Sequence, residues 1–282
     1  MITSIEFIET GYFKLDGGAM FGVVPKSMWA KLNPPDENNM CTWSMRCLLI
    51  RTEDRCILVD TGMGDKQDEK FRSFFYPHGE DHLIGSIKKL GLGVEDITDV
   101  FLTHLHFDHC GGAVSRDQNG QLYPTFPKAR YWSNEVHWKW AMEPNDRERA
   151  SFLKENFLPL LDANVLNFIP VTTLKTNWIP DIDVHFIYGH TEAMMLVEFE
   201  YKGQSFLYCA DLFPSSYHIS IPFIMSYDVR PLVSIAEKHK FLIDAIDKDQ
   251  IFILEHDPKF PCCKVGRNEH GRFVIQDYPT LS

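Results

Sequence analysis

Residues 103–112 read Thr-His-Leu-His-Phe-Asp-His-Cys-Gly-Gly and directly follow the apolar run Val100-Phe101-Leu102. The candidate metal ligands in this stretch are His104, His106, Asp108 and His109. Neutral imidazole and carboxylate are the side chains that suit borderline divalent metals such as zinc. A surface loop of solvated histidines is the alternative, but three imidazoles within six positions favour a metal site.

The spacing of these residues predicts two ions. If 99–103 is a buried strand, the chain leaves the sheet near its end, and alternate side chains of extended backbone share a face. His104 and His106 can therefore point at one ion. Asp108 and His109 are adjacent, so the backbone must turn before them, and a second ion is their natural target.

Four ligands are too few for two ions, so other strand ends must supply more. Three positions fit, each at the end of a strand-like apolar run. They are His190 after 183–187, Asp211 after 206–210 and His256 after 251–254.

This ordered set resembles the metallo-β-lactamase superfamily of metallohydrolases over about residues 43–258. The turn Asp60-Thr61-Gly62 after the run Cys56-Ile57-Leu58-Val59 is a further element of the same pattern. The resemblance implies an α/β fold, a four-layer αβ/βα sandwich of two mixed β-sheets flanked by helices.

The resemblance also implies a role for each ligand. His104, His106 and His190 would bind the first ion, Asp108, His109 and His256 the second, and Asp211 would bridge both. Asp60 would orient a ligand histidine through its other ring nitrogen, although an ordinary turn aspartate is nearly as good an explanation. The cofactor is then two divalent ions, with zinc favoured and iron, manganese or cobalt also accepted by these ligands.

The full imidazole set narrows the family. Common zinc β-lactamases carry Arg in place of His109, and flavodiiron proteins carry Glu in place of a motif histidine. Glyoxalase II generally appends a helical domain, whereas only 26 residues follow His256. The net charge of −11, with scattered Lys and Arg, disfavours a nuclease. The chain therefore resembles the N-acyl homoserine lactonase and methyl parathion hydrolase-like group.

The expected activity is hydrolysis. Two ions can activate a bridging water as hydroxide, with Asp211 fixing their separation and Asp108 carrying a proton to the leaving group. We predict an enzyme that opens a lactone or carboxylic ester, such as an N-acyl homoserine lactone. A phosphotriester hydrolase is the alternative within the class, and a mononuclear iron oxidoreductase of the persulfide dioxygenase type is the alternative from another. A binding protein with a vestigial site is disfavoured because all seven ligands are present.

The sequence also offers candidate substrate contacts. Many lactonases place a tyrosine three residues after the bridging aspartate, where this chain has Pro214. Tyr217 and His218 are the nearest substitutes, and Phe223 is a further candidate contact. The aromatic stretches 71–76 and 221–225 could wall an acyl-binding cleft, or they could be core or a dimer contact.

We expect one domain over 1–282, with 1–42 as an N-terminal extension that is a candidate to cover the cleft. Seven cysteines without a regular framework indicate a reducing compartment, and Cys262-Cys263 has no partner motif for a thiol metal site. No signal sequence and no apolar stretch of membrane-spanning length is present. We therefore expect a soluble cytoplasmic protein with a small-molecule substrate, no nucleic acid or membrane partner, and homodimerisation left open.

Hydrophobic periodicity predicts where the strands and helices lie. Strands are expected at about 3–9, 44–51, 55–60, 98–103, 129–132, 183–188, 194–201, 204–210 and 251–255. Helices are expected at about 81–91, 133–142, 145–164 and 231–248.

Overall fold

The computed structural model of the protein describes residues 1–172 and 175–281. The α-helices are α1 (Gly17–Phe21), α2 (Lys26–Trp29), α3 (Glu69–Phe75), α4 (Leu83–Lys89), α5 (Phe107–Cys110), α6 (Glu135–Met142), α7 (Leu158–Asp162) and α8 (Pro231–Asp247). The strands are β1 (Ile2–Asp16), β2 (Met40–Thr52), β3 (Cys56–Val59), β4 (Asp99–Phe101), β5 (Val114–Arg116), β6 (Leu122–Pro124), β7 (Arg130–Ser133), β8 (Leu166–Phe168), β9 (Lys175–Ile179), β10 (Ile182–Ile187), β11 (Met194–Tyr201), β12 (Gln204–Tyr208), β13 (Ile251–Ile253), β14 (Cys262–Arg267) and β15 (Phe273–Asp277).

Two mixed sheets carry the fold. The first has the order β1-β2-β3-β4-β7-β8, antiparallel from β1 to β3 and parallel from β3 onward. The second has the order β15-β14-β13-β12-β11-β10-β9, in which only β12 and β13 run parallel. All residues of β3, β4 and β13 are buried, as expected for short apolar strands covered on both faces.

The sheets pack face to face, with helices outside them. Val59 and Phe101 of the first sheet share a core cluster with Val184 and Leu196 of the second, and α8 joins the same cluster through Leu242. The opposite face of the first sheet is covered by α4, α6 and α7, whose buried residues form another cluster with β3 and β4. The predicted four-layer αβ/βα sandwich is confirmed.

The predicted N-terminal extension, residues 1–42, is an integral part of the first sheet. Within residues 1–42, β1 forms the edge of the first sheet and pairs with β2 along most of its length. The segment after it contains α1 and α2, whose residues Met20, Phe21 and Trp29 join a buried apolar cluster with β2. The predicted strand 3–9 is therefore longer in the structure, and a register shift between Glu9 and Tyr12 lets it continue past Gly11, which has φ +95°.

The single helix predicted over 145–164 is wrong. Residues 146–151 form turns, residues 154–156 form a 3₁₀ turn, and only α7 is α-helical. The Asn145 side chain accepts from the backbone N–H groups of Arg147 and Glu148, which fixes a turn instead of a helix. The spacing of apolar residues does not reveal that a side chain competes with the helical backbone hydrogen bonds here.

Two glycines let the motif loop pack against the Asp60-Thr61-Gly62 turn. A Cβ on Gly111 would lie 1.9 Å from the Met63 carbonyl oxygen, and one on Gly112 would lie 2.3 Å from the Thr61 carbonyl oxygen. Only glycine permits so close an approach of two backbones. The 103–112 stretch is thereby held against the end of β3.

All seven cysteines are buried free thiols, and Cys262 and Cys263 lie in β14. None of the groups of potential metal ligands among the described residues includes a cysteine. None of the described helices is long and apolar enough to cross a membrane.

Glu198 is a buried carboxylate on β11, at the part of the second sheet distant from the strand ends that carry the predicted ligands. It accepts hydrogen bonds from Lys248 and Gln250 and contacts His185 Nε2. Although burial raises the pKa of Glu198, the hydrogen bonds from His185 and Lys248 lower it below its ordinary value of 4.5. The charged form of Glu198 therefore stabilises the fold.

We expect Glu198→Gln to lower the free energy of unfolding by about 1–3 kcal/mol near neutral pH. Because the folded-state pKa is depressed, this stabilisation is present above pH 4.5 and is lost as the pH falls below that value. Urea denaturation at a series of pH values measures the difference, with the exposed Glu200→Gln as the matched control. A difference that persists unchanged in acid would contradict the assignment.

Candidate metal centre

The seven predicted ligands meet where strand ends of the two sheets converge. His104 and His106 follow β4, and α5 carries Asp108 and His109 one turn later. The second sheet contributes His190 after β10, Asp211 after β12 and His256 after β13. Each of the seven residues is more than nine-tenths buried.

The first group contains His104, His106, His190 and one oxygen of Asp211. His106 Nδ1 lies 3.0 Å from His104 Nε2 and 3.3 Å from His190 Nε2. Asp211 Oδ2 lies 3.1 Å from His190 Nε2 and 4.0 Å from His104 Nε2. Four potential donor atoms thus surround one point.

The second group contains Asp108, His109 and His256, and the other oxygen of Asp211 faces it. His109 Nε2 and His256 Nε2 are 3.2 Å apart. Asp211 Oδ1 lies 3.1 Å from His256 Nε2, and Asp108 Oδ2 lies 3.7 Å from the same nitrogen. One carboxylate therefore faces both groups, with one oxygen directed at each.

These separations fit a tetrahedral metal ion. At ligand distances of about 2.0–2.1 Å, tetrahedral coordination places neighbouring donor atoms about 3.3 Å apart. The observed spacings of 3.0 to 4.0 Å bracket that value in both groups. The donor set of imidazole and carboxylate suits zinc and other first-row divalent ions.

Four of the five histidines have an acceptor within 3.1 Å of the outer ring nitrogen, and His106 has the more distant Glu148 at 3.5 Å. The partners of the outer ring nitrogens are the Thr103 hydroxyl for His104 at 3.1 Å, Glu148 for His106 at 3.5 Å, Asp60 and Glu255 for His109 at 3.1 and 3.0 Å, Asp228 for His190 at 2.9 Å, and the Ser44 carbonyl for His256 at 2.7 Å. A partner that accepts on the outer nitrogen keeps the proton there and leaves the inner nitrogen as a lone pair.

Asp60 links the first two strand ends. It accepts from the Thr103 backbone N–H at 2.8 Å and from the Thr103 hydroxyl at 2.7 Å, while its Oδ2 lies 3.1 Å from His109 Nδ1. Its φ of +59° is unusual for an aspartate and occurs at the turn after β3. The structure thus places Asp60 behind a predicted ligand histidine.

Burial and neighbouring charges shift the pKa values of His104 and His256 in opposite directions. Burial and the neighbouring imidazoles hold the pKa of His104 well below its usual value, so this ring is neutral. At His256, burial acts in the opposite direction from Asp211, and the carboxylate raises the pKa to about 9. The carboxylates that favour a proton on His256 favour a divalent cation at the same nitrogen, so the two compete.

Sequence reasoning missed three of the carboxylates that contact the ligand histidines, namely Glu148, Asp228 and Glu255. Glu255 directly precedes His256 at the end of β13, and this strand-end position was a signal that could have identified it. Burial raises the pKa of Glu255 to about 7. Glu148 and Asp228 lie 42 and 38 residues from the histidines that they contact, and no local pattern marks either one.

A cavity of about 400 Å³ opens beside the metal centre. Five of its lining residues belong to the ligand set, and five more form an apolar wall. The apolar wall consists of Leu15, Met20, Phe75, Phe107 and Met225. Arg147, Ser151, Ser226 and Tyr227 add polar groups to the lining. Each of the two aromatic stretches considered in the sequence thus sends one side chain, Phe75 or Met225, into the wall.

The three predicted substrate contacts lie outside this lining. His218 is buried, bonded to Ser215 and to the Met20 carbonyl, and stacked on Phe21 at 5.2 Å. The Tyr217 hydroxyl is buried without a hydrogen-bond partner. Phe223 lines a separate surface groove. The 3₁₀ turn at 216–219 packs Tyr217 and His218 against Phe21, which their closeness to Asp211 in sequence could not reveal.

A family model described as the metallo-beta-lactamase superfamily matches residues 46–250. The chain belongs to the metallo-β-lactamase superfamily. This assignment confirms the resemblance drawn from the sequence and the prediction of a hydrolase. His256 lies just beyond the matched range, so its place in the centre comes from the structure.

Relatives within the metallo-β-lactamase superfamily agree with this assignment. An N-acyl homoserine lactonase of Bacillus cereus is 26% identical over 217 residues, which cover 72% of this chain and 73% of the relative. A probable metal-dependent hydrolase from Staphylococcus aureus has a TM-score of 0.85 at 27% identity, covering 98% of both chains. AidC, a dizinc quorum-quenching lactonase solved with a product, has a TM-score of 0.79 at 20% identity, covering 100% of this chain and 97% of its own.

In this member of the metallo-β-lactamase superfamily, His137 connects two ligand loops. Its Nε2 accepts from the Leu105 backbone N–H at 2.9 Å, so Nδ1 carries the proton and donates to the Glu192 carbonyl at 2.6 Å. Leu105 lies between His104 and His106, and Glu192 follows His190 by two residues. Burial lowers the pKa of His137 to about 4, which keeps the ring neutral.

We expect His137→Leu to weaken metal binding at the first group by roughly 10-fold to 100-fold, because partners outside the ligand set have effects of that size. His137→Gln, which retains a donor and an acceptor, should lose less. Chelator competition and metal content per chain measure the effect, with the exposed His270→Leu as control. Full retention of both ions by His137→Leu would refute the role.

Proposed function

We propose that the protein is a dinuclear metal-dependent hydrolase that opens a lactone or carboxylic ester. The single observation that carries this proposal is the position of Asp211, whose two oxygens face two separate groups of imidazole nitrogens. A carboxylate shared in this way suits a pair of ions a few ångströms apart. The dizinc lactonase among the structural neighbours supports the same interpretation.

His104, His106 and His190 would hold one ion, and Asp108, His109 and His256 the other. Two bound ions would supply hydroxide from water at neutral pH and polarise the scissile carbonyl. Zinc fits the ligand types best, while iron, manganese and cobalt use the same donors.

Two aspartates have distinct roles. Asp211 is buried between the groups and fixes their separation. Asp108 lines the cavity, and its Oδ2 is 3.7 to 3.8 Å from the nearest histidine nitrogens, less closely engaged than either oxygen of Asp211. Asp108 is therefore the group placed to carry a proton to the departing oxygen.

The cavity supports an acyl substrate. Its metal end carries the reacting groups, and the wall of Leu15, Met20, Phe75, Phe107 and Met225 offers apolar contact to a hydrocarbon chain. Relatives at about 25% identity are named N-acyl homoserine lactonases. We infer a neutral lactone or ester with an apolar acyl chain as the substrate class.

Asp211→Ala should remove both ions together, because the carboxylate of Asp211 is the only ligand that the two groups share. Metal content per chain, measured after dialysis of the wild type and the variant, tests this expectation. The exposed Asp146→Ala serves as the control for loss of one surface carboxylate. Retention of one full equivalent of metal by Asp211→Ala would argue against a bridging role.

A substrate panel tests the reaction class. We expect the two-metal protein to open a medium-chain acyl homoserine lactone faster than it cleaves an aryl phosphotriester. The reverse order would favour the phosphotriester hydrolase, and failure on both would remove the lactonase proposal. One iron per chain, together with oxygen uptake on glutathione persulfide, would instead identify a persulfide dioxygenase.

A further inference from the structure

Tyr227 occupies a distinctive place in the cavity wall. Its side chain lines the cavity together with Asp108 and Asp211, and about 36% of the residue is exposed. It is the only tyrosine in the described lining of this cavity. The residue belongs to the segment 220–228, which runs from the core turn at 216–219 to α8.

The backbone around Tyr227 is fixed on both sides. The preceding residue, Ser226, donates its N–H to the Ala19 carbonyl at 2.7 Å. The following residue, Asp228, holds His190 Nδ1 at 2.9 Å. These contacts hold the backbone of Tyr227 in place beside the metal centre.

Tyr227 lies in the same cavity wall as Asp108 and Asp211, which belong to the predicted ligand set. Burial raises the pKa of Tyr227, and the carboxylates of Asp108, Asp16 and Asp211 raise it further. The phenol therefore keeps its proton near neutral pH. Among residues 1–172 and 175–281, no hydrogen bond uses this hydroxyl, so its proton is available to a bound molecule.

The other polar groups of the wall are less suited to the same task. Arg147 already donates to the Ser226 carbonyl, and its residue is exposed at the cavity mouth. Ser151 also offers a hydroxyl, but an aliphatic alcohol is a weaker donor than a phenol, whose pKa is about 10. Tyr227 is therefore the best donor that faces the cavity.

We propose that Tyr227 donates a hydrogen bond to the carbonyl oxygen of the substrate as that oxygen gains negative charge. The inference rests on the proposed lactone or ester hydrolysis and adds a catalytic residue to it. No bond to tyrosine forms or breaks, and the proton stays on Oη throughout. A fixed donor of this kind stabilises the transition state more than the ground state, because the charge exists only in the former.

The test compares the metal-loaded wild type, Tyr227→Phe and the matched control Tyr123→Phe, which removes an exposed hydroxyl from β6. We expect Tyr227→Phe to lower kcat roughly 10-fold to 100-fold on an acyl homoserine lactone, with KM nearly unchanged. A methyl hexylphosphonate monoanion, which mimics the tetrahedral charged state, should bind more weakly by a similar factor. Metal content and Tm should match the wild type.

Three outcomes would overturn the inference. These are an unchanged kcat in Tyr227→Phe, a loss of metal that accompanies the loss of activity, and a larger defect in Ser151→Ala than in Tyr227→Phe. If the wild type itself hydrolyses neither lactone nor ester, the proposed function fails. An active wild type with an equally active Tyr227→Phe removes the role of Tyr227 alone.

Discussion

The structure depends on five imidazole nitrogens that converge with their lone pairs facing one another in a buried site. Nitrogens 3.0 to 3.3 Å apart without protons between them repel, and burial strengthens that repulsion because the surroundings screen it poorly. A divalent cation converts this repulsion into binding. The arrangement persists only because each outer nitrogen faces an acceptor that fixes the tautomer and the ring orientation.

Charge balance follows from the same arrangement. Six carboxylates lie in or against the two groups: Asp60, Asp108, Glu148, Asp211, Asp228 and Glu255. Two divalent ions would offset four negative charges, and Glu255, whose pKa burial raises to about 7, need not be fully ionised. The surplus of carboxylates explains why His190 and His256 have raised pKa values. The site is therefore built to retain cations strongly.

The structure brings the seven predicted residues together because all seven follow a strand or a motif turn, where position along the chain indicates position in space. Partners such as Glu148 and Asp228 could not be predicted in the same way, because their places depend on how remote segments fold back. The predicted helix over 145–164 illustrates the limit: Asn145 redirects the chain there. Tyr217 and His218 are predicted substrate contacts because they lie close to Asp211 in the sequence. Core packing against Phe21 instead decides their orientation.

The segment 220–228 connects the cavity wall to the predicted metal ligand His190. Its first part is held by Lys238, whose ammonium group donates to the carbonyls of Ser220 and Phe223, and its last residue holds His190. Because backbone contacts and the terminal aspartate secure the segment, the side chains of Met225 and Tyr227 face the cavity without themselves holding a ligand. Changes to those two side chains can therefore alter which substrates fit while the geometry of the metal centre is preserved. Under the proposed function, this separation would allow one metal centre to serve different acyl substrates.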